Sequence, residues 1–393
     1  MFNLKLSKRI SILEKSPNEK DEQIPLLIKE TPFFKTSTFH EAISFLKDGG
    51  KILCLIGKWG SGKSTTAKKV YKSLTGRRPI VIEDILKFDV SSCQDSIIVE
   101  EPLPREDISD EEKNNRVEKI IYLCKNILKT NQTFMIITST EEAWEAIADE
   151  VENCDFDENE YRCIDLNWKN LSKCDRIQIF HTIFQFHNPD KPFSIVEENV
   201  TRFKINSFGF PETCALFSKC SEFQKSKSGV LFFNRPLRYL SLYLEKMCQT
   251  SREKQKFLVL VYMSLNNMKI DMDKSNDKLW EIFRLCGLNT DSVRLKSIIP
   301  WELVVKEEPS VYVLQHEVIK RITLITFGKL YFSVLLRLSS QKDLDGWIKH
   351  KKRTFIVTEL LEVGTKQGSE MEPFLEIGDE QWIEYQKKMG NTL

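Results

Sequence analysis

Gly57-Lys58-Trp59-Gly60-Ser61-Gly62-Lys63-Ser64 spells G-x-x-x-x-G-K-S. Glycines at this spacing let backbone N–H groups turn inward around phosphate oxygens, and a lysine followed by a hydroxyl completes a polyphosphate cradle. Lys63 would bridge the outer phosphates, and the Ser64 hydroxyl would ligate Mg²⁺. The residues from Gly57 through Ser64, together with Thr65, therefore form the candidate nucleotide site, with ATP or ADP and Mg²⁺ as its ligands. A short apolar run, Lys51–Ile56, precedes the loop, while Ala67, Val70, Tyr71 and Leu74 recur behind it at helical spacing. Strand, loop and helix in that order also set the positive end of the helix dipole behind the phosphates.

A phosphate loop of this kind uses carboxylates at the end of a neighbouring strand. Ser96-Ile97-Ile98-Val99-Glu100-Glu101 supplies an apolar strand ending in two acids. Glu100 is expected at the metal and Glu101, with Lys63, in catalysis; the same glutamates could also simply open a solvent-facing loop. A further strand, Thr133–Thr138, ends in Ser139-Thr140. There Thr140 could sense a terminal phosphate or merely cap the strand end.

The elements that must position these groups alternate. Strands are expected at Lys51–Ile56, Pro79–Glu83, Ser96–Val99, Thr133–Thr138 and Tyr161–Leu166, with helical spacing at 110–130 and 141–151. Such alternation predicts an α/β domain built on a parallel sheet. A helix closed by glycine is expected over His40–Gly50. Beyond about residue 170 the strand signal mostly fades. Helices are predicted over 172–187, 195–206, 211–226, 236–248 and 252–265, then a hairpin or wing near Val311–Leu314 and a helix from Glu317 to Phe327. The tail to Leu393 reads as helical with a loop around Gly364–Gly368.

Length and composition narrow the class. A chain of 393 residues is expected to form two or three domains. Its 58 basic and 57 acidic side chains leave a net charge of +1, without the basic excess of a dedicated nucleic-acid binder. No apolar run approaches the ~18 residues of a membrane span. Lys5, Lys8 and Arg9 are followed by no apolar block, so no secretory leader is expected. Ten cysteines without a Cys-x-x-Cys pair, and only five histidines, predict reduced thiols in a cytoplasmic protein and no structural zinc.

Several motifs fall in an order that resembles a known family. The phosphate loop, the acidic strand and the Ile-Ile-Thr-Ser strand are followed by Phe208-Gly209-Phe210-Pro211 and by Tyr312-Val313-Leu314-Gln315-His316-Glu317-Val318-Ile319. The order resembles the STAND class of signalling ATPases, relatives of the NACHT and NB-ARC proteins, and in pattern the novel STAND group three domain. Thr31-Pro32-Phe33-Phe34-Lys35-Thr36 and Phe232-Phe233-Asn234-Arg235-Pro236 add to the likeness, which covers about residues 30 to 345.

The resemblance implies a nucleotide-binding α/β domain, a small helical domain and a winged helix that close over the nucleotide. The segments would be an arm at 1–33, the phosphate-loop domain at 34–170, the helical domain at 171–228, the winged helix at 229–332 and a helical tail at 333–393. It places Gly209 and Pro211 near the adenine and His316 against the inner phosphate, with Glu317 fixing the turn. Two departures bear on turnover: the family commonly carries Asp-Asp where this chain has Glu100-Glu101, and an arginine where it has Thr140. Hydrolysis is accordingly expected to be slow or absent. The implied role is a regulatory ATP/ADP switch that controls self-association or recruitment of a signalling partner. A P-loop turnover enzyme, such as an ATPase or a small-molecule kinase, is the alternative, and a scaffold with a decayed site is a third reading.

Overall fold

Strand β1 (Ile52–Ile56) is apolar on both faces, as a central strand must be when helices cover both sides of its sheet. Its companions are β2 (Val81–Ile82), β3 (Ile97–Glu100), β4 (Met135–Ser139) and β5 (Tyr161–Asp165). All pair in parallel, in the order β2-β3-β4-β1-β5. The alternating side chains of β1 divide two cores. Leu53 and Leu55 join Ile98 and Ile136 beneath α1 (Ser37–Lys47) and α2 (Lys63–Thr75). Ile52 and Cys54 join Ile97, Val99, Met135 and Ile137 on the face covered by α3 (Asp110–Leu128), α4 (Glu141–Glu145) and α5 (Ala148–Glu152). The expected α/β parallel sheet is present.

The computed structural model describes residues 32–89, 95–103, 109–129, 133–152, 157, 159–191, 209–225, 232–289, 293–340, 344, 348–350 and 375–390. The arm before residue 32, the helix expected at 195–206, Phe208 and the Gly364–Gly368 loop lie outside them. Helix α1 begins at Ser37, earlier than its apolar pattern suggests, because the Thr36 hydroxyl accepts from the Phe39 N–H.

The second half is mainly helical. It comprises α6 (Lys173–His187), α7 (Phe210–Lys219), α8 (Pro236–Met247), α9 (Ser251–Ser264), α10 (Asp277–Leu285) and α11 (Glu317–Leu338). Phe180, Phe184, Phe217, Phe232 and Phe233 fill the centre of its core, with rings packed edge to face and tilted. The alternating run at Val311–Leu314 is the expected strand of a hairpin, whereas two short strands in this half and two more in the tail escaped the sequence pattern. β6 (Lys269–Asp271), β8 (Val311–Leu314) and β7 (Val304–Lys306) form an antiparallel sheet in that order, while β9 (Ile348–His350) pairs in parallel with β10 (Leu375–Ile377). Strands of three residues carry too little period to register in the sequence. Helix α11 runs past the expected Phe327 and bends at Tyr331, whose backbone leaves the helical region. A final helix, α12 (Asp379–Lys388), follows β10. Among the described residues no helix is long and apolar enough to cross a membrane.

Candidate functional site

Because β4 lies between β1 and β3, the carboxyl ends of all three strands open on one edge of the sheet, where the strand order switches. Ile56 is level with Ser139, and Glu100 with Thr138. Two strand spacings put the acids about 9–10 Å from the β1 axis, room for a phosphate and its metal between them.

The loop after β1 needs its glycines. Gly57, Gly60 and Gly62 take φ of 154°, 75° and 90°, conformations that side-chain-bearing residues rarely adopt. Gly62 is also the N-cap of α2 and has no side chain with which to cap the first-turn N–H groups. Lys63 is buried and its Nζ donates to Gly57 O at 3.0 Å and to Lys58 O at 3.4 Å. Glu101 Oε1 lies 3.5 Å from the same ammonium. Glu101 holds a left-handed φ of 43°, a strained setting for a non-glycine residue that turns the chain at the end of β3. The neighbouring Glu100 pairs with Lys68 on α2 at 2.9 Å.

The donor set fits a polyphosphate. The Ser61, Thr138 and Ser139 hydroxyls are buried here without a hydrogen-bond partner. Buried polar groups are otherwise nearly always paired, so three orphans at one sheet edge mark a place for a polar ligand. Thr140 is accounted for differently: its hydroxyl accepts from the Ala143 N–H and caps α4. That contact uses its oxygen as acceptor, at the start of α4 just beyond the end of β4.

Asn167, which the sequence reading passed over, holds the loop from the β5 side. Its Oδ1 accepts from the Lys58 N–H at 2.9 Å, and its own N–H donates to Asp165 Oδ1 at 2.8 Å. An amide just past the expected fifth strand was the available signal.

From the opposite side comes the start of α7. The Gly209 N–H donates to Trp59 O at 2.6 Å and the Glu212 N–H to Gly60 O at 3.2 Å. A Cβ on Gly209 would meet Gly60 C at 2.0 Å, so only glycine permits this approach. Pro211 occupies the first turn of α7, where its missing N–H costs nothing, and its Cγ is 3.9 Å from where a Gly62 Cβ would stand. The structure thus brings Gly209 and Pro211 onto the phosphate loop.

His316 is the N-cap of α11. Its Nδ1 accepts from the Val318 N–H at 3.2 Å, which leaves the ring proton of the neutral imidazole on Nε2. Glu317 was expected to fix this turn, but it pairs with Lys320 at 2.9 Å and the imidazole makes the cap itself. Residues on either side of His316 reach towards the loop. Gln315 meets Glu212 and Lys219 of α7, and the Arg321 guanidinium lies over the Trp59 ring at 5.8 Å. Neither Gln315, Arg321 nor Glu212 was singled out by the sequence. Burial pushes the Glu212 carboxyl up to about 7 against the opposing pull of Gln315 and Lys219. Burial and nearby Lys219 hold the His187 imidazole down to about 4.

Arg77, half of the adjacent pair that a kinase lid would need, meets Asp95 on the surface at 3.5 Å. It follows the C-terminus of α2, about 20 Å from the loop at the other end of that helix.

Comparison with known proteins agrees with the loop's chemistry. Residues 33–186 match the Novel STAND NTPase 3 family model, which supports a P-loop NTPase domain in this segment. No curated protein sequence matches the chain. Among solved structures, it is similar to a signal transduction ATPase with numerous domains from Pyrococcus horikoshii, which carries a tetratricopeptide repeat sensor. That match has 13% identity and a TM-score of 0.38, and covers 82% of this chain and 48% of the other. The chain therefore spans about half the length of that protein. It is also similar to a chain of Drosophila ORC bound to DNA, with 12% identity, a TM-score of 0.31, and 81% and 96% of the two chains covered. Likenesses this loose carry no inference of their own.

Proposed function

With the match of residues 33–186 to the Novel STAND NTPase 3 family as the premise, we propose that the chain is an ATP/ADP-dependent regulatory switch with slow or no turnover. The Gly57–Thr65 amides and the Lys63 ammonium would hold the phosphates, and Ser64 and Glu100 the Mg²⁺. A bound nucleotide supplies a polyanion whose terminal phosphate is present in one state and missing in the other.

One observation carries the reading. The carbonyls of Trp59 and Gly60, inside the phosphate loop, accept hydrogen bonds from the first turn of α7. The loop is thus fastened to the helical half, and a ligand that reshapes the loop acts on that half directly. Differential contact in two states is what a switch requires.

The segment 229–332, which holds α8, α9, α10, the β6–β8–β7 sheet and the first part of α11, is read as the winged helix, with His316 as its contact to the inner phosphate. Closure of this unit over the loop would govern self-association or recruitment of a signalling partner. Slow turnover is supported by the chain's own residues. Lys68 engages Glu100 and Lys63 faces Glu101, so each acid already has an ammonium beside it. No arrangement around the Arg77 pair favours a kinase lid.

Calorimetry with Mg·ATP and Mg·ADP tests the proposal. The wild type should bind both. Lys63→Ala should weaken both by about 10- to 100-fold, the effect of one charge-assisted contact. His316→Ala should weaken ADP more than ATP. A wild type that binds neither nucleotide overturns the switch, and ADP binding unaltered in His316→Ala overturns the closing role of the histidine.

A further inference from the structure

Helix α7 presents Glu212 and Lys219 on one face, seven residues and two turns apart. About 10 Å of helix separates their backbones, so they are poorly placed to pair directly. The Gln315 side chain, entering from the residue before the α11 cap, spans the gap. Its Nε2 donates to Glu212 Oε1 and its Oε1 accepts from Lys219 Nζ, each at 2.5 Å. The amide can satisfy both charges in only one orientation, nitrogen to carboxylate and oxygen to ammonium. Glu212 is engaged twice, because its backbone N–H donates to Gly60 O in the phosphate loop.

A second link runs in parallel. Arg321, on the same helix as the His316 cap, sets its guanidinium over the ring of Trp59. Trp59 is the loop residue before Gly60, and its carbonyl is the one that accepts from Gly209. Its ring packs against the helical-half core rather than either sheet core. Three bodies thus meet around two adjacent loop residues: the loop itself, the start of α7 and the start of α11.

We propose that Gln315 and Arg321 are positioning residues forming a two-point clasp, through which the shape of the phosphate loop sets the docking of α11. The inference rests on the switch reading above and goes beyond it by naming the parts that transmit the signal. When Lys63 leaves the Gly57 and Lys58 carbonyls for a phosphate, the 58–60 backbone must adjust. The Gly60 carbonyl carries Glu212 with it, and Glu212 carries Gln315. The cap residue His316 follows directly in the chain, so its approach to the nucleotide depends on the same clasp.

The test uses the full chain and two readouts, Mg·ADP and Mg·ATP affinity by calorimetry and amide exchange over residues 317–327 with and without Mg·ADP. In the wild type, Mg·ADP should slow exchange in that segment. Gln315→Ala should still bind both nucleotides, since the loop is untouched. It should lose most of the ADP-dependent protection, and its ADP/ATP affinity ratio should fall about five- to tenfold, a typical coupling between sites. Glu212→Gln should behave similarly, and adding Gln315→Ala to it should produce little further change. Arg321→Lys, which keeps a cation over the ring, should retain more protection than Arg321→Ala.

Protection and affinity ratio that stay at wild-type values in Gln315→Ala and in Gln315→Ala/Arg321→Ala overturn the clasp while the switch stands. Additive losses in Glu212→Gln/Gln315→Ala also overturn it, because they show the two side chains acting independently. A wild type that binds neither nucleotide removes both proposals at once.

Discussion

Gly209→Ala gives a direct measure of how tightly α7 is seated on the phosphate loop. Gly209 has φ −65° and ψ 142°, a conformation alanine adopts freely, so the substitution introduces no backbone strain. Its cost is steric. The new Cβ would stand 2.0 Å from Gly60 C, 2.1 Å from Ser61 N and 2.3 Å from Gly60 O, where ordinary contact begins at 3.4 Å. All three are backbone atoms, so no side chain can swing aside. Loop and helix must part by about 1.4 Å, which takes both interface hydrogen bonds out of range. Losing two such bonds and overpacking the contact together cost about 3 kcal/mol. For the unit Pro32–Leu393, with an unfolding entropy of about 2.1 cal/mol/K per residue, that corresponds to a fall in Tm of roughly 4 °C.

A matched control exists in the same chain. Gly378 is also an N-cap, with φ −74° and ψ 177°, and its added Cβ would meet nothing within 4 Å. Gly378→Ala carries the same loss of a glycine N-cap without the collision, so its melting curve should stay within about 1–2 °C of wild type. Thermal unfolding of the three proteins, followed by Mg·ADP calorimetry at a temperature where all are folded, reads the result. Gly209→Ala should also bind Mg·ADP at least tenfold more weakly. If its Tm and affinity match those of Gly378→Ala, α7 is not packed on the loop as described and the coupling argument fails.

Other perturbations have defined outcomes. Asp175 is buried and accepts from the Ser37 N–H, the Ser37 hydroxyl and the Ser172 hydroxyl, tying the starts of α1 and α6 together; Asp175→Ala should cost about 3 kcal/mol in denaturant unfolding, with partial recovery in Asp175→Asn. Glu212, raised from 4.5 to about 7, binds more protons folded than unfolded in that interval, so its contribution to stability falls as pH rises through it. His187, lowered from 6.5 to about 4, has the opposite slope, its contribution being lost as pH falls from 6.5 towards 4. Relative to wild type, His187→Gln should therefore gain Tm between pH 7.5 and 5.5 and Glu212→Gln should lose it; the groups facing them are Lys219, which burial lowers against the opposing pull of Glu212, and uncharged Gln315. Lys68→Met removes the ammonium that engages Glu100, and since so exposed a pair is worth at most about 1 kcal/mol, Mg²⁺ affinity in the presence of ATP should rise no more than about fivefold. Weaker Mg²⁺ binding in that variant would show that Glu100 is not the metal residue.

The phosphate loop and the five-stranded sheet were legible because their signals are local. Apolar runs such as Ile52–Ile56 and Met135–Ser139 declare buried strands, and the glycine spacing dictates a backbone that few other residues could take. The acids at 100 and 101 follow from the strand they terminate. What escaped was fixed between segments distant in the chain. Gln315 stands 103 residues from Glu212 and 96 from Lys219, and although it falls in the motif around His316, nothing local names those partners. Arg321 sits in an apolar helical pattern, and only the fold places it above Trp59. The three-residue strands β6 and β7 likewise owe their existence to β8, which pairs with both.

The arrangement also bears on the restrained nucleotide chemistry proposed for this chain. Lys63, the cation that would grip phosphate, is bonded to carbonyls of its own loop, and each acid at the end of β3 has an ammonium beside it. These links differ in what it takes to undo them. The Lys68–Glu100 pair is partly exposed and yields at little cost to a divalent metal. The loop carbonyls at 59 and 60 are held by helix N–H groups against a glycine that admits no slack, so moving them moves α7. The electrostatic links can therefore exchange for a ligand locally, whereas the backbone links convert that exchange into displacement of a helix. Within the switch proposed for this chain, binding is set by the first kind of link and signalling by the second.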